Sequence, residues 1–158
     1  MLGTIGSLVA DSSETTGLKW AAPAAGGKIV QVVTAIYSTN FTTTSTTYVD
    51  TGMSATITPT SASNTILVLH NGNYNHTTTN SAVNIRLVRG STAIKTYNAQ
   101  GFTNASIFRG EISLTKMDSP ATTSATTYKI QIANDVVQTI GAQYNNEEST
   151  IILLEVAP

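Results

Sequence analysis

The chain has no cysteine in its 158 residues, which excludes a disulfide framework and any thiolate metal site. Charge is the second shortage. Charged residues make up 11% of the chain, and 8 Lys and Arg against 9 Asp and Glu leave a formal net charge of -1, where a soluble domain usually carries about a quarter charged residues. The basic residues are scattered, with no patch that could track a phosphate backbone, so nucleic acid is not an expected partner. A near-neutral chain with so little charge has weak colloidal protection, and we expect much of its surface to be sealed in an assembly. Long apolar runs are also missing. No window approaches the roughly 18 residues of a membrane helix, and residues 1–10 lack the basic start and continuous apolar core of a secretory signal. The expectation is a mature, soluble chain without membrane insertion.

What is present is Thr, Ser and Asn, with β-branched runs between them. Thr suits a pleated surface, and Ser and Asn suit turns. Residues 149–156 contain four consecutive apolar residues, Ile151 to Leu154, between polar flanks, which reads as a central strand covered on both faces. Residues 28–37 are rich enough in β-branched residues for a full strand. Met53, Ala55 and Ile57 alternate onto one face, as do Val83, Ile85 and Leu87, and Tyr128, Ile130 and Ile132. Phe108, Ile112 and Leu114 share a face with Gly110. Residues 65–74 are apolar at the start and polar after His70. Gly90-Ser91 marks a hairpin turn into residues 92–97. Residues 75–81, 98–104 and 117–125 read as loops, and residues 136–140 as a short strand after an Asn134-Asp135 turn.

Roughly eight to ten strands at regular spacing, with no credible helix, indicate an all-β antiparallel β-sandwich, and a jelly roll is the favoured order. Two regions are expected: an extended N-terminal arm at 1–27, dense in Gly, Pro and Ala, and a sandwich domain at 28–158. The arm holds an apolar patch (Leu2, Ile5, Leu8, Val9) and the single tryptophan, Trp20. A bulky aromatic in an arm needs a place to be buried, either on its own domain or on another subunit.

Candidate chemistry is thin. His70 and His76 lack a third nearby ligand for zinc; a threefold axis alone would supply three nitrogens, and ordinary surface or interface histidines are the reading taken. No serine lies in a G-x-S-x-G turn. Glu111 sits within a strand opposite Phe108 and Ile112, while Asp50, Asp118 and Asp135 fall at turns, where a side-chain bond to backbone is the default. Glu155 shares alternation with Ile151 and Leu153, so a structural ion pair with Arg86, Arg89 or Arg109 is expected. Gly26-Gly27 precedes a strand and cannot form a helix-borne phosphate site. Asn40, Asn75 and Asn104 match the glycan acceptor pattern, as chance allows in this composition. No enzyme activity, metal or cofactor is expected. Tyr74, His76, Tyr97, Phe102 and Tyr144 are aromatic or polar residues suited to shallow recognition of sugar or protein, and equally to packing at strand ends.

Residues 17–33, 56–68 and 149–157 resemble segments of structural proteins of tailed bacteriophages, especially fibre and fibre-like proteins. The resemblance implies a virion component whose compact domain, similar to the tumour-necrosis-factor and C1q type of jelly roll, forms a homotrimer. Such domains decorate a capsid, collar or tail and touch the host surface. The chain departs from long fibres in having no coiled-coil or fibrous shaft before the domain, which favours a short decoration, head-fibre or tail-adaptor protein. On this reading Leu2, Ile5, Leu8 and Val9 attach the chain to other virion proteins. Trp20, Ile152, Leu154 and Val156 are then the intersubunit contacts, with residues 149–156 near the trimer core. Tyr74, His76, Tyr97 and Phe102 face a host glycan or protein receptor. The competing class is a host-receptor or carbohydrate-binding module at a fibre tip.

Overall fold

A computed structural model describes residues 27–158 and the backbone of residues 7–10 and 18–21. β1 (Ser7–Ala10) and β2 (Leu18–Ala21) pair antiparallel as a separate two-stranded sheet, with Leu8 opposite Trp20. The sandwich begins at β3 (Lys28–Tyr37), followed by β4 (Phe41–Thr43), β5 (Val49–Ile57), β6 (Thr65–His76) and β7 (Ser81–Arg89). β8 (Thr92–Thr103), β9 (Phe108–Asp118), β10 (Thr126–Asn134), β11 (Ile140–Ala142) and β12 (Ser149–Ala157) complete it.

The two-residue alternation decides the layers. Met53, Ala55 and Ile57 of β5, Ile85 and Leu87 of β7, and Tyr128, Ile130 and Ile132 of β10 point inward and are buried. They meet Ile66, Val68 and Tyr74 of β6, Leu114 of β9, and Ile151 and Leu153 of β12. Each such aliphatic side chain contributes about 1.5–3 kcal/mol by leaving water.

Hydrogen bonding sets the strand order β5-β10-β7-β8 in one sheet. In the other, β3, β12, β6 and β9 lie side by side, and the short β11 and β4 continue beyond β12 along the same edge of β6. All pairings within these two sheets are antiparallel. Numbering the eight long strands in chain order gives 1-8-3-6 and 2-7-4-5, the order of a jelly roll. Residues 149–156 therefore do form a central strand, between β3 and β6.

Three stretches differ from the sequence expectation. β6 runs on through His76, because its polar residues 71–76 stay paired with β9 along their whole length. β8 continues to Thr103, through most of the 98–104 stretch. Register shifts against β7, with Ala99 and Gly101 at positive φ, absorb the irregular residues without ending the ladder. Residues 136–139 are not strand: the Asn134 side-chain amide donates to the Gln138 carbonyl and closes the chain into a turn, leaving Val136 and Val137 exposed.

Candidate functional site

The outward face of the β3-β12-β6-β9 sheet is built by the residues that alternate with its core. Its cross-strand rows read Val32, Leu154, Leu67, Met117, then Thr34, Ile152, Leu69, Thr115, then Ile36, Thr150, Asn71, Ser113. One further apolar pair is added by a bulge. β3 carries one more residue than β12 between Gln31 and Ile29, so Ile29 faces Val156 on the outward side and Val30 is splayed out. Ile29, Val32 and Ile36 remain 54%, 55% and 59% exposed. These rows hold no charged residue; charge begins one row further, where Asn73 opposite Glu111 donates to Glu147 (2.7 Å). A shallow depression of ≈ 240 Å³ opens on the face between Leu69, Thr115, Thr150 and Ile152.

The outward face of the other sheet is polar. Asp50 accepts from Lys129 Nζ (2.8 Å) and Gln131 Nε2 (2.6 Å). Gln131 in turn accepts from Arg86, whose guanidinium lies 4.1 Å from the centroid of the Tyr48 ring. Partial burial opposes ionisation of Asp50, but the bonds from Lys129 and Gln131 outweigh it and hold the carboxyl below its ordinary range.

The ends of the sandwich also differ. At one end, Gly27 enters β3 so close to Val156 that a Cβ would lie 2.8 Å from its Cγ1. The same end holds residues 59–64 and the Arg89–Asp118 ion pair (2.8 Å). At the other end, Thr103 pairs Ser81, and Asp135 accepts from Ser81 Oγ and Ala82 N. This gathers the 104–107 and 135–138 loops beside the end of β8, where Phe102, Ile107, Val136 and Val137 are exposed.

Several residues expected at the surface are interior. Tyr74 and His76 are fully buried and cannot face a receptor. Both lie on inward positions of β6, a strand that extends past the point where its sequence turns polar. His70 is also buried. Its Nδ1 donates to the Thr150 carbonyl (2.8 Å) and its Nε2 accepts from the Tyr74 hydroxyl (2.7 Å). Gly72 lies between them on the same strand, and a Cβ there would stand 2.9 Å from the His70 ring. Burial pushes the His70 pKa down to about 4 against the opposing effect of the Thr150 bond, and burial pushes the Tyr74 phenol well above its usual range. The His76 ring nitrogens face the Thr78 and Gly101 carbonyls at 3.0 and 3.1 Å, and the ring stacks on Phe108. Neither histidine is the surface residue expected, and Asn75, also buried, is no glycan acceptor.

Tyr97 is half-buried, its hydroxyl donating to the Thr115 carbonyl (3.0 Å). Phe102 stays exposed at the far end. Tyr144 lies under the Arg109 guanidinium, 4.5 Å from its centroid.

Glu155 is buried but makes no arginine pair. Its Oε1 accepts from Thr60 N (2.6 Å), Thr60 Oγ1 (2.8 Å) and Asn64 Nδ2 (2.6 Å), which pins the 59–64 turn to β12. Arginine is absent from this corner because Arg89 pairs Asp118 and Arg86 binds Gln131. Burial disfavours the charged Glu155, and the Asn64 and Thr60 bonds outweigh that and keep its pKa below the ordinary value. Glu111 is exposed on β9 and Asp118 accepts from Tyr128 (2.7 Å), so the structure does not bring these carboxylates together. Among the described residues, no three His, Asp or Glu side chains are grouped to hold a metal ion.

Of the expected intersubunit residues, Ile152, Leu154 and Val156 stand together on the uncharged outward face, half-buried. The side chains of Leu8, Val9 and Trp20, like Leu2 and Ile5 as a whole, lie outside the described residues. The sequence reading missed Ile29, Val32, Ile36, Leu67, Leu69 and Met117. Their signal was the failure of alternation: β3 and β12 are apolar at consecutive positions, and only one face of each can enter the core.

No protein-family model matches the chain, and no curated protein matches it. Among solved structures, the infectious bursal disease virus VP2 subviral particle matches with a TM-score of 0.38 and 13% identity, over 96% of this chain and 44% of that one. The structure of the Gx strain of the same virus matches with a TM-score of 0.41 and 12% identity, over 96% and 45%. The chain thus spans less than half the length of these viral chains.

Proposed function

We propose that the chain is a non-enzymatic structural component of a tailed-phage virion: a homotrimeric head-fibre, decoration, collar or tail-adaptor protein held to the particle by its N-terminal arm. The observation that carries the building-block reading is the uncharged outward sheet face on a chain already poor in charge. A free monomer gains nothing from such a face, whereas an assembled one buries it. The resemblance of residues 17–33, 56–68 and 149–157 to phage structural proteins supports the virion setting. On this reading the particle lies beyond the Gly27 end of the sandwich, and the opposite end points away from it. Deleting residues 1–16 tests the attachment role. The expected result is a folded oligomer that no longer joins the particle; unchanged incorporation defeats it.

A second reading, a host-receptor or carbohydrate-binding module, draws on the exposed Phe102, Ile107, Val136 and Val137 at the far end. A glycan array separates the two, because a purely structural component gives no sugar-specific signal.

A further inference from the structure

We infer that the depression beside Arg89, at the Gly27 end of the sandwich, is a pocket for a carboxylate, supplied by a neighbouring virion protein. The docking role deepens the proposed attachment to a particle and rests on it, whereas the carboxylate site stands on its own geometry.

Arg89 closes β7, and its side chain reaches across to the other sheet. Its Nη1 donates to both oxygens of Asp118 on β9 (2.9 and 2.8 Å) and to the Ser119 carbonyl (3.1 Å). Asp118 Oδ2 in turn accepts from the hydroxyl of Tyr128 (2.7 Å), which is buried and stands opposite Arg89 on β10. The guanidinium is thus fixed before any ligand arrives, which lowers the entropic cost of binding. All of these bonds pass through one nitrogen. Nε and Nη2, which carry most of the N–H donors of the group, bond to none of the described residues. The other two arginines of the sandwich are engaged: Arg86 spends Nε and Nη2 on Gln131, and Arg109 lies over the Tyr144 ring.

The Arg89 side chain is 27% exposed and lines a depression of ≈ 310 Å³ with Gly90, Pro120, Thr122, Thr126 and Thr127. Beside Gly90 the space is open, since a Cβ there would meet nothing within 4 Å. Thr122 Oγ1 accepts from Ser124 N (3.0 Å), which leaves its own proton to donate. No acid lines the depression, and Asp118 is already engaged by Arg89 and Tyr128. The open Nε–Nη2 edge matches a planar carboxylate through two parallel hydrogen bonds. A single negative charge suits it better than the double charge of a phosphate, because Asp118 already offsets part of the Arg89 charge. The pocket opens at the end of the sandwich that the proposed function turns toward the particle, where an acidic side chain or a chain terminus would enter it.

Titrating the full chain with sodium acetate, against sodium chloride at equal ionic strength, tests the site by proton–nitrogen NMR of the arginine Nε–H groups and the Gly90 amide. Saturable shifts at Arg89 and Gly90 are expected, with a dissociation constant on the order of 10 mM, the strength of one or two charge-assisted hydrogen bonds. Shifts at Arg89 no larger than those at Arg86 and Arg109, or tighter binding of inorganic phosphate than of acetate, overturn the carboxylate site. Thr122→Glu alters a partly exposed loop residue and puts the chain's own carboxylate into the pocket, with circular dichroism as the fold control. It is expected to weaken acetate binding at least about fivefold by charge repulsion and occupancy, and unchanged affinity overturns the site. The same variant is expected to lower incorporation into the particle several-fold. If acetate binds at Arg89 but Thr122→Glu joins the particle normally, the docking role is overturned. If acetate does not bind while deletion of residues 1–16 still prevents incorporation, the building-block reading stands without the pocket.

Discussion

The two outward sheet faces of this sandwich are made in the same way and dressed differently. On β5 and β10 the outward positions carry Asp50, Lys129, Gln131 and paired threonines, bonded to one another across strands. On β3 and β12 the outward positions carry Ile29, Val32, Ile36, Ile152, Leu154 and Val156. Both faces cover the same core, so the difference lies in what each presents on its outer side. Polar cross-strand networks suit water, and uncharged aliphatic rows suit another protein surface.

The sharpest division within the apolar sheet is between neighbours on one strand. Leu153 is fully buried and Leu154 points outward. Leu153→Ala should cost the isolated domain about 2–5 kcal/mol, and Leu154→Ala below about 1 kcal/mol, by urea denaturation at concentrations where the chain is monomeric. Equal losses would mean that the outward face is already packed in the monomer.

Beneath that face His70 gives the next largest effect. Its pKa is depressed to about 4 in the fold, while the unfolded chain binds the proton near 6.5. The unfolded state therefore takes up protons first as pH falls. Stability is complete above about pH 6.5 and drops by about 3 kcal/mol on the way to pH 4. His70→Gln should flatten this limb in a pH series of denaturation midpoints.

Glu155 sharpens the comparison at the edge of the same sheet. Glu155→Gln keeps an acceptor for Thr60 and Asn64 but loses charge assistance, with an expected cost of about 1–2 kcal/mol. The folded pKa of Glu155 is lowered, so its contribution is present above the unfolded carboxylate value and disappears as pH falls through the folded one. The variant should lose that acid limb as well. On the polar sheet, Asp50→Asn removes a half-exposed ion pair with Lys129. The expected loss is below about 1 kcal/mol and shrinks further in salt. A larger loss than that from Glu155→Gln would reverse the ranking of the two faces.

The layers were legible because Met53-Ala55-Ile57, Val83-Ile85-Leu87 and Tyr128-Ile130-Ile132 alternate, and period two assigns a strand face directly. The apolar outward face was half legible. Consecutive apolar residues at 151–154 did announce a strand with two apolar sides, but sequence cannot say whether the second side is covered within the chain. Among the described residues it is bare. The polar interior was not legible at all. His70, Tyr74, Asn75 and His76 read as a strand fading into a loop, whereas the fold buries all four and bonds the His70 ring to the Tyr74 hydroxyl. That depends on Gly72 leaving room and on carbonyls contributed from Thr150, Thr78 and Gly101. Thr150 and Gly101, 80 and 25 residues from the rings they face, leave no local signature.

The spare residue in β3 has one more consequence. β3 is the outermost strand of its sheet among the described residues, and a straight ten-residue rim of backbone donors and acceptors invites end-on recruitment of further chains without limit. The kink at Val30 roughens that rim beside the apolar rows, and so discourages edge-to-edge addition of another strand. Excising Val30 would smooth the rim and is expected to raise the chain's tendency to add edge to edge into filaments.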